Sequence, residues 1–389
     1  MIEQPSIQSF IHSFFRRLID LWVDTLNITL TPFLTRGHNQ QRVSRICTMT
    51  TNKLLTVTVL PILDPHGQPW EVTEETLSKG QPRTIVDLLD RHKALIFRSS
   101  TMSVEIFGRF VVDCRLDEYP YVGGAAPRRV IPVHAAPGKD VVFTANESPP
   151  DQPIPFHHEL AQTPNPPAYI FFYCDVPPLE GGETPIIDST AVYRYTAEHH
   201  PDFLTKLVTE GARYTRTLPD ADDPSSPIGR SYQNTWQVQT RDELDAKLAT
   251  KPGVEWFWLD DGSVRITTEA VPAIRLVEIS HEKYNYVYQY VFANSIVAAY
   301  LGWQDVRNDR MQALTFGNGD KMPTDVLESI AAFMQQNRVV VPWQKGDMYV
   351  PYIIVVVFCI HLTYMTNENS LLPFIPHLFV LTLLPIVWL

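Results

Sequence analysis

The chain has 389 residues, of which 44% are hydrophobic and 11% aromatic, so it can bury the core of one large domain or two ordinary ones and is not a disordered protein. Its formal net charge of -11, without a compensating basic run, excludes a nucleic-acid partner held by phosphate contacts. The four cysteines are scattered and lack the paired spacings of a zinc site or a dense disulfide scaffold. They predict reduced thiols in a cytoplasmic protein.

Residues 1–48 form an N-terminal extension whose pattern differs from the rest of the chain. Apolar residues recur at helical spacing over 7–22, which predicts one amphipathic helix. The segment lacks the uninterrupted apolar core of a secretory signal. Two interpretations stay open: a packed or loosely attached extension, or translation that begins at Met49, just before a strand predicted over 54–60.

Residues 84–98 predict a helix followed by a strand. Helical periodicity over 84–92 leads directly into an apolar run over 93–98 that is typical of a short buried strand. The next passage, 117–155, is loop-rich and contains proline, glycine and aromatic residues. Prolines crowd between Pro120 and Pro227, so long helices are not expected there and strands and ordered loops should dominate. Within 117–155, Tyr121 and Asn146 are candidates for lining a pocket, with simple chain turning as the alternative.

A histidine and a glutamate two residues apart mark the centre of the chain. In an extended segment, His157 and Glu159 point to the same side, so both can hold one cation. Imidazole and carboxylate are the ligand types of the facial triad, two His and one carboxylate, that holds non-haem Fe(II). The pair by itself is weak evidence, because most such pairs in proteins are ordinary surface residues. His158, on the opposite strand face, is expected to pack or to be exposed to solvent.

Ordered motifs extend on both sides of this pair. Phe-His-His-Glu-Leu occupies 156–160, and Gly-Gly-Glu-Thr-Pro occupies 181–185. The segments that accompany them are 164–167, 170–174, 213–216, 228–231, 294–300, 315–319 and 342–347. Together these motifs resemble the taurine dioxygenase (clavaminate synthase-like) family of Fe(II)- and 2-oxoglutarate-dependent oxygenases. The resemblance covers about 54–347.

The resemblance implies a mixed α/β, mainly β chain with a double-stranded β-helix (jelly-roll) core and flanking helices. His157 and Glu159 match the first two iron ligands of the family, and Thr184 matches the threonine that hydrogen-bonds the 2-oxoglutarate carboxylate. Fe(II), 2-oxoglutarate and O2 would then serve the oxidation of a C–H bond in a small organic substrate. Related enzymes act in sulfonate catabolism or in secondary-metabolite tailoring, and the sequence does not choose between them.

The rest of the family-like region predicts helices over 191–207, 242–248 and 322–337. Asn294 is a further pocket candidate, with an ordinary structural hydrogen bond as the alternative. Three arginines could serve an acidic substrate, although surface salt bridges are the expected fate: Arg213, Arg216 and Arg230. Three tryptophans predict core packing: Trp256, Trp258 and Trp303.

The last segment, 348–389, departs from the family pattern. Family members continue with the second iron histidine and then one or two arginines that bind the far carboxylate of 2-oxoglutarate. Here the chain is apolar, is interrupted by prolines and contains neither lysine nor arginine. His361 lies near the expected distance, but no family motif surrounds it, and His377 fits less well. The resemblance therefore supplies two iron ligands, not three.

Three interpretations of residues 348–389 stay open. One is a gene model that runs through an intron or a frameshift. Another is a divergent protein without the full triad, which would be a catalytically inactive jelly-roll binding protein. The third is a membrane anchor, since residues 371–389 are nearly long enough to span a bilayer. The prolines in this segment and the absence of a basic flank count against it. The predicted organisation is an extension over 1–48, a dioxygenase domain over 49–347 and an apolar tail over 348–389.

Overall fold

The computed structural model describes only part of the chain. The described residues are 28–32, 45–49, 55–59, 89, 93–98, 102–113, 119, 122–125, 130–131, 142–145, 154–178, 182–281, 285–340, 342–352, 356–360, 365–367, 370–372 and 377–385. The helix predicted over 7–22 lies outside the described residues. Most of the helix predicted over 84–92 also lies outside them, although Leu89 is described and is helical. Tyr121, Asn146 and His361 also lie outside the described residues.

The helices flank the sheets and lie mainly in the second half of the chain. Their bounds are α1 Val104–Asp113, α2 Ser189–His199, α3 Pro201–Glu210, α4 Tyr232–Trp236, α5 Arg241–Ala249, α6 Ile296–Gly302 and α7 Thr324–Gln336. A short 3-10 helix covers Arg310–Gln312.

The strands run from the N-terminal segment to the C-terminal one. The first ten are β1 Ile28–Pro32, β2 Arg45–Met49, β3 Leu55–Val59, β4 Ala94–Arg98, β5 Val130–Ile131, β6 Val142–Thr144, β7 Ile154–His157, β8 Pro167–Val176, β9 Ile186–Asp188 and β10 Ala212–Leu218. The others are β11 Glu255–Trp258, β12 Val264–Thr267, β13 Ile274–His281, β14 Asn285–Phe292, β15 Leu314–Phe316, β16 Met348–Pro351, β17 Val356–Ile360, β18 Met365–Asn367, β19 Ser370–Leu372 and β20 His377–Pro385.

Two antiparallel sheets form the centre of the fold. The large sheet has the order β1-β2-β3-β4-β16-β8-β20-β6-β5, and the small sheet has the order β7-β17-β9. Along the chain, β6, β7, β8, β9, β16, β17 and β20 alternate between the large and the small sheet. Val339 adds an antiparallel bridge to Ile186 of the small sheet. Such alternation brings two sheets face to face, because each connection must cross between them.

Apolar residues from both sheets share one buried cluster, which we call the inter-sheet core. It contains Ala94, Ile96, Ala145, Ile170, Phe172, Cys174, Ile186, Trp343 and Tyr349. Ile154 of β7 and Val339 pack against it. Strand β8 is buried along its first eight residues, as expected for a central strand with both faces covered.

The segment between β9 and β16 adds a second body of sheet and helix. Strands β11-β12-β10-β15 form a four-stranded sheet, and β13 and β14 form a hairpin. Apolar faces of α2, α3, α6 and α7 pack on these elements in a larger core. Its buried members include Val192, Leu207, Tyr214, Phe292, Ile296, Trp303 and Ile330.

Several predicted elements are confirmed. The strands expected over 54–60 and 93–98 are β3 and β4, and the helices expected over 242–248 and 322–337 are α5 and α7. The single helix expected over 191–207 is instead two helices, α2 and α3, because Pro201 starts a new helix at its first position. The mixed α/β class is also confirmed.

The loop-rich passage 117–155 contains two short strands, β5 and β6, in keeping with the expected mixture of strands and ordered loops. These short strands form the outer end of the large sheet, where β6 pairs with β20. Two or three residues are too few to show a periodic pattern, so their pairing partner decides their conformation. The C-terminal segment also takes part in the sheets, since β20 pairs with β8 along nearly its whole length. Among the described residues, no helix has both the length and the apolar character needed to cross a membrane.

Candidate functional site

The end of strand β7 brings the predicted metal ligands together. Nε2 of His157 lies 3.7 Å from Oε2 of Glu159. The strand ends at His157, and Glu159 lies in the following turn rather than in the extended segment that the sequence predicted. Leu160 has a φ of 53°, a left-handed conformation that turns the chain directly after the pair. The two side chains converge through this turn and can contact the same small cation.

The ring of His157 is held in the orientation that a metal ligand needs. Its Nδ1 lies 2.8 Å from the carbonyl oxygen of Pro155. A carbonyl can only accept, so Nδ1 donates to it, and the other ring nitrogen, Nε2, faces Glu159. Metal-binding histidines are commonly oriented by such a contact from their other nitrogen.

The donor set fits two positions of a cation site. Glu159 is buried, and a buried carboxylate is stabilised by a positive partner. Within the stretches that the structure describes, no group of three or more His, Cys, Asp or Glu side chains converges on one point. His157 and Glu159 therefore supply an imidazole and a carboxylate, which suit Fe(II), and leave the remaining positions to other ligands.

His158 faces the opposite side of the segment and is only 2% exposed. Its Nε2 lies 2.8 Å from Oγ of Ser189, and its Nδ1 lies 3.0 Å from the carbonyl oxygen and 3.2 Å from the backbone nitrogen of Asn294. Burial lowers the pKa of His158 to about 3, so the ring stays neutral at physiological pH. Of the two expected environments, packing is the one observed.

Asn294 takes the structural role that was the alternative to lining a pocket. Its side-chain N–H donates to the carbonyl of Ala273, and its side-chain oxygen accepts from the N–H of Ile296 at the start of α6. Its own carbonyl accepts from the N–H of His158 at 3.2 Å. The neighbouring Ser295 donates its hydroxyl to the carbonyl of His158. The start of α6 is thus tied to the residue between the two predicted ligands.

Thr184 lies just before β9 and is 7% exposed. Its Oγ1 accepts a hydrogen bond of 3.2 Å from the indole N–H of Trp343. Since that contact uses a lone pair, the hydroxyl proton of Thr184 stays available for an acceptor such as a carboxylate. Trp343 lies in a segment that carried the resemblance, but no local pattern indicates that its indole reaches a residue so far away in the chain.

A buried ion pair fixes β9 beside the site. Nζ of Lys93 lies 2.5 Å from Oδ2 of Asp188, and both side chains are almost fully buried. The other oxygen of Asp188 accepts from the N–H and the hydroxyl of Thr190 and so caps the start of α2. Sequence reasoning missed this pair, because Lys93 and Asp188 are 95 residues apart.

The three predicted arginines have different environments. Arg213 forms the expected surface salt bridge, 2.8 Å from Oε1 of Glu255. Arg216 is buried, against the expectation of a surface position, because its guanidinium stacks over Trp303 and donates to the carbonyl of Gly124. Arg230 is half-buried, and its backbone N–H donates to the carbonyl of Ala125.

The predicted tryptophans all take part in packing. Trp303 is buried in the larger core, while Trp256 and Trp258 pack beside α5. Both of the latter donate their indole N–H to Oδ1 of Asp245, at 2.6 and 3.0 Å. The core-packing prediction for these residues is confirmed.

Comparison with known proteins identifies the family. The model of the family described as taurine catabolism dioxygenase TauD, TfdA family matches residues 63–350. The chain belongs to the TauD/TfdA family. It is 41% identical over 271 residues to a clavaminate synthase-like protein of Arabidopsis thaliana, covering 69% of this chain and 78% of that protein.

Other similar proteins are more distant. The dapdiamide synthesis protein DdaC of Enterobacter agglomerans is 25% identical over 275 residues, covering 68% of this chain and 77% of that protein. A crystal structure of a taurine dioxygenase from Burkholderia xenovorans aligns with a TM-score of 0.40 and 12% identity, covering 82% of this chain and 83% of that one.

The C-terminal histidine expected of a TauD/TfdA protein has no counterpart among the described residues. Strand β17 pairs with β7 so that Phe358 lies opposite His157, and β17 contains no histidine. His377 begins β20, where its backbone pairs with Val176 at the end of β8. His377 therefore lies in the large sheet, whereas His157 lies in the small one. His361 directly follows β17 in the sequence.

Proposed function

We propose that the protein is an Fe(II)- and 2-oxoglutarate-dependent dioxygenase, similar to taurine hydroxylases, that oxidises a C–H bond of a small organic molecule. The observation that carries the proposal is the pair His157 and Glu159, 3.7 Å apart with the imidazole proton held on the nitrogen that faces away. The family supports it, since TauD/TfdA proteins are dioxygenases by description.

We further propose that the two central sheets form a double-stranded β-helix. The support is the alternation of β6, β7, β8, β9, β16, β17 and β20 between the sheets, together with the inter-sheet core that both sheets share. The dioxygenase domain over 49–347 stays a prediction, and so does the cytoplasmic location. In this arrangement β17 and β20 are integral strands although they lie beyond residue 347.

Each proposed site residue has one task. His157 and Glu159 would hold Fe(II), and Thr184 would donate its hydroxyl proton to the carboxylate of 2-oxoglutarate. Together with O2, bound Fe(II) and 2-oxoglutarate supply the oxidising chemistry, while the protein positions the substrate and excludes alternatives. Trp343 orients Thr184 by donating to its oxygen, and Pro155 keeps the Nε2 lone pair of His157 ready for the metal.

The names of the relatives and the charge of the chain bear on the class of substrate. Both curated relatives have names that refer to synthesis, and this favours the tailoring of a biosynthetic product over sulfonate catabolism. Buried arginines such as Arg216 add positive charge to a chain whose net charge is -11. A small anionic substrate would be attracted to such a local cation.

A second function, a catalytically inactive binding protein, is favoured by one observation. Only two metal-ligand side chains converge within the described part of the chain, and β17 carries no histidine opposite His157. Anaerobic titration with Fe(II) and 2-oxoglutarate separates the two functions. A dioxygenase gives a weak visible charge-transfer band and then forms succinate on exposure to O2. Absence of both the band and succinate would contradict the enzyme proposal.

A further inference from the structure

Tyr349 carries a buried hydroxyl group that the fold does not use. Its side chain is 2% exposed, and its hydroxyl has no hydrogen-bond partner among the described residues. Buried polar groups are nearly always paired, because burying one without a partner costs free energy. An unpaired group that is kept in a packed core therefore indicates an acceptor that binds there.

The position of Tyr349 is fixed by the large sheet. It lies in β16, paired with Phe172 of β8 and with Ile96 of β4. Its ring stacks on Phe172 with centroids 6.0 Å apart and meets Trp343 edge-on at 6.1 Å. All four side chains belong to the inter-sheet core. The sheet thus holds the phenol ring rigidly within the core between the two sheets.

Tyr349 is linked to the proposed 2-oxoglutarate site through one residue. Trp343 contacts the ring of Tyr349 on one side and donates its indole N–H to Thr184. The ring of Tyr349 and the hydroxyl of Thr184 therefore both contact Trp343, and each of these two residues has a hydroxyl proton to donate. Burial raises the pKa of Tyr349 well above its ordinary value, so its hydroxyl stays protonated and neutral.

The ligand that suits two hydroxyl donors contacting one tryptophan is an acceptor-only group. An ionised carboxylate accepts through both oxygens and donates nothing, and its hydrogen bonds to hydroxyl groups are charge-assisted. Residues 348–389 contain no lysine or arginine that could meet such a group from the C-terminal strands. A phenol donor in β16 supplies part of what a cation in those strands would have supplied.

We propose that the hydroxyl of Tyr349 donates a hydrogen bond to the far carboxylate of 2-oxoglutarate, beside Thr184. This inference rests on the proposed function, because it assigns a binding residue to the same co-substrate. Tyr349 is then a specificity residue for a keto acid with a second carboxylate.

The test measures binding rather than turnover. Calorimetric titration of the full chain with 2-oxoglutarate, under anaerobic Fe(II), is compared between wild type and Tyr349→Phe. We expect the Kd for 2-oxoglutarate to rise about tenfold or more, since a hydrogen bond to a charged group is lost. The Kd for 2-oxobutyrate, which lacks the far carboxylate, should not change. The melting temperature of the ligand-free variant should equal or exceed that of wild type, because the change removes an unpaired buried hydroxyl.

Tyr173→Phe is the matched control. Tyr173 lies in the neighbouring strand β8, but its hydroxyl donates to the carbonyl of Met102 at 3.0 Å, and its ring stacks on Phe107 of α1. This control should lower the melting temperature and leave the Kd for 2-oxoglutarate unchanged.

The outcomes separate the inference from the function on which it rests. Wild-type affinity for 2-oxoglutarate in Tyr349→Phe would overturn the inference and leave the dioxygenase proposal standing. Equal weakening of 2-oxoglutarate and 2-oxobutyrate would also overturn it, because the far carboxylate would then not be the partner. No binding of 2-oxoglutarate by the wild type would instead remove the proposed function itself.

Discussion

At the scale of single residues, the first prediction concerns Glu159, the proposed carboxylate ligand of iron. Glu159→Ala removes the carboxylate that lies 3.7 Å from Nε2 of His157. We expect iron affinity to fall by more than about 100-fold, since the loss of an outer-shell partner alone costs 10–100-fold. Metal analysis after anaerobic loading with Fe(II) measures it. Glu255→Ala, an exposed carboxylate paired with Arg213, is the control and should bind iron as wild type does. Stoichiometric iron in Glu159→Ala would show that another carboxylate is the ligand.

Lys93 contributes to the free energy of unfolding through its buried ion pair with Asp188. Lys93→Met leaves Asp188 buried without its cation, and breaking a buried pair in this way costs about 3–5 kcal/mol. Urea unfolding should show a loss of that size. Lys206→Met is the control, because Lys206 pairs with Asp320 at an exposed position, and it should change the unfolding midpoint far less. Equal effects of the two changes would show that burial of the Lys93 pair has no energetic consequence.

Residues in local motifs and residues that depend on distant contacts differ in whether the sequence alone identifies them. His157, Glu159 and Thr184 lie in short motifs that carry the family resemblance, so they could be named as site residues before the fold was known. Tyr349 and Lys93 could not be found in this way, because each gains its meaning from a contact far away in the chain. A lone tyrosine in an apolar run predicts only packing.

At the scale of elements, the length of each helix or strand decided whether its pattern of apolar residues could be recognised in the sequence. Helices α5 and α7 have enough turns to show an apolar face, and both were predicted. Strands β5 and β6 are two and three residues long and are strands only because β20 lies beside β6. The turn at Leu160 was likewise invisible, since a left-handed leucine has no sequence pattern. Local pattern therefore predicted long elements and missed those that depend on a neighbour.

The loops that follow β10 and α6 are joined by an acidic network, and this gives a pH prediction. Oδ2 of Asp305 lies 3.0 Å from Nη2 of Arg307, which also binds Asp223 at 2.7 Å. Burial alone would raise the pKa of Asp305, but hydrogen bonds from Ser226, Arg307 and Asn308 outweigh it and lower the pKa. The pKa of Asp223 is lowered as well, by hydrogen bonds from Ser225 and Arg307.

A lowered folded-state pKa makes the network a source of stability that acid removes. The contribution is complete above the unfolded-state pKa of about 3.9 and is lost as pH falls through the lower folded-state value. Asp305→Asn should cost about 1–3 kcal/mol at pH 7 and should lose less stability than wild type between pH 5 and pH 2. Urea unfolding across this range measures both. Asp260→Asn, at an exposed position, should follow the wild-type curve. Parallel curves for Asp305→Asn and wild type would contradict the linkage.

At the scale of the whole molecule, the C-terminal strands determine whether the central sheets close. Strand β17 lies between β7 and β9 in the small sheet, and β20 lies between β8 and β6 in the large one. Deletion of residues 353–389 would leave β7 and β9 without their common neighbour and would open β8 along most of its length. Unpaired central strands expose backbone groups and apolar surface, and both promote aggregation.

We therefore expect the chain that ends at Tyr352 to aggregate and to lack a cooperative unfolding transition, as measured by size-exclusion chromatography and thermal melting. Deletion of residues 1–48 is the matched comparison. It removes β1 and all but the last residue of β2, which form the outer end of the large sheet, so it shortens the sheet without opening its centre. That chain should stay monodisperse and should melt cooperatively. If the C-terminal deletion instead melted as wild type does, residues 353–389 would not be part of the fold.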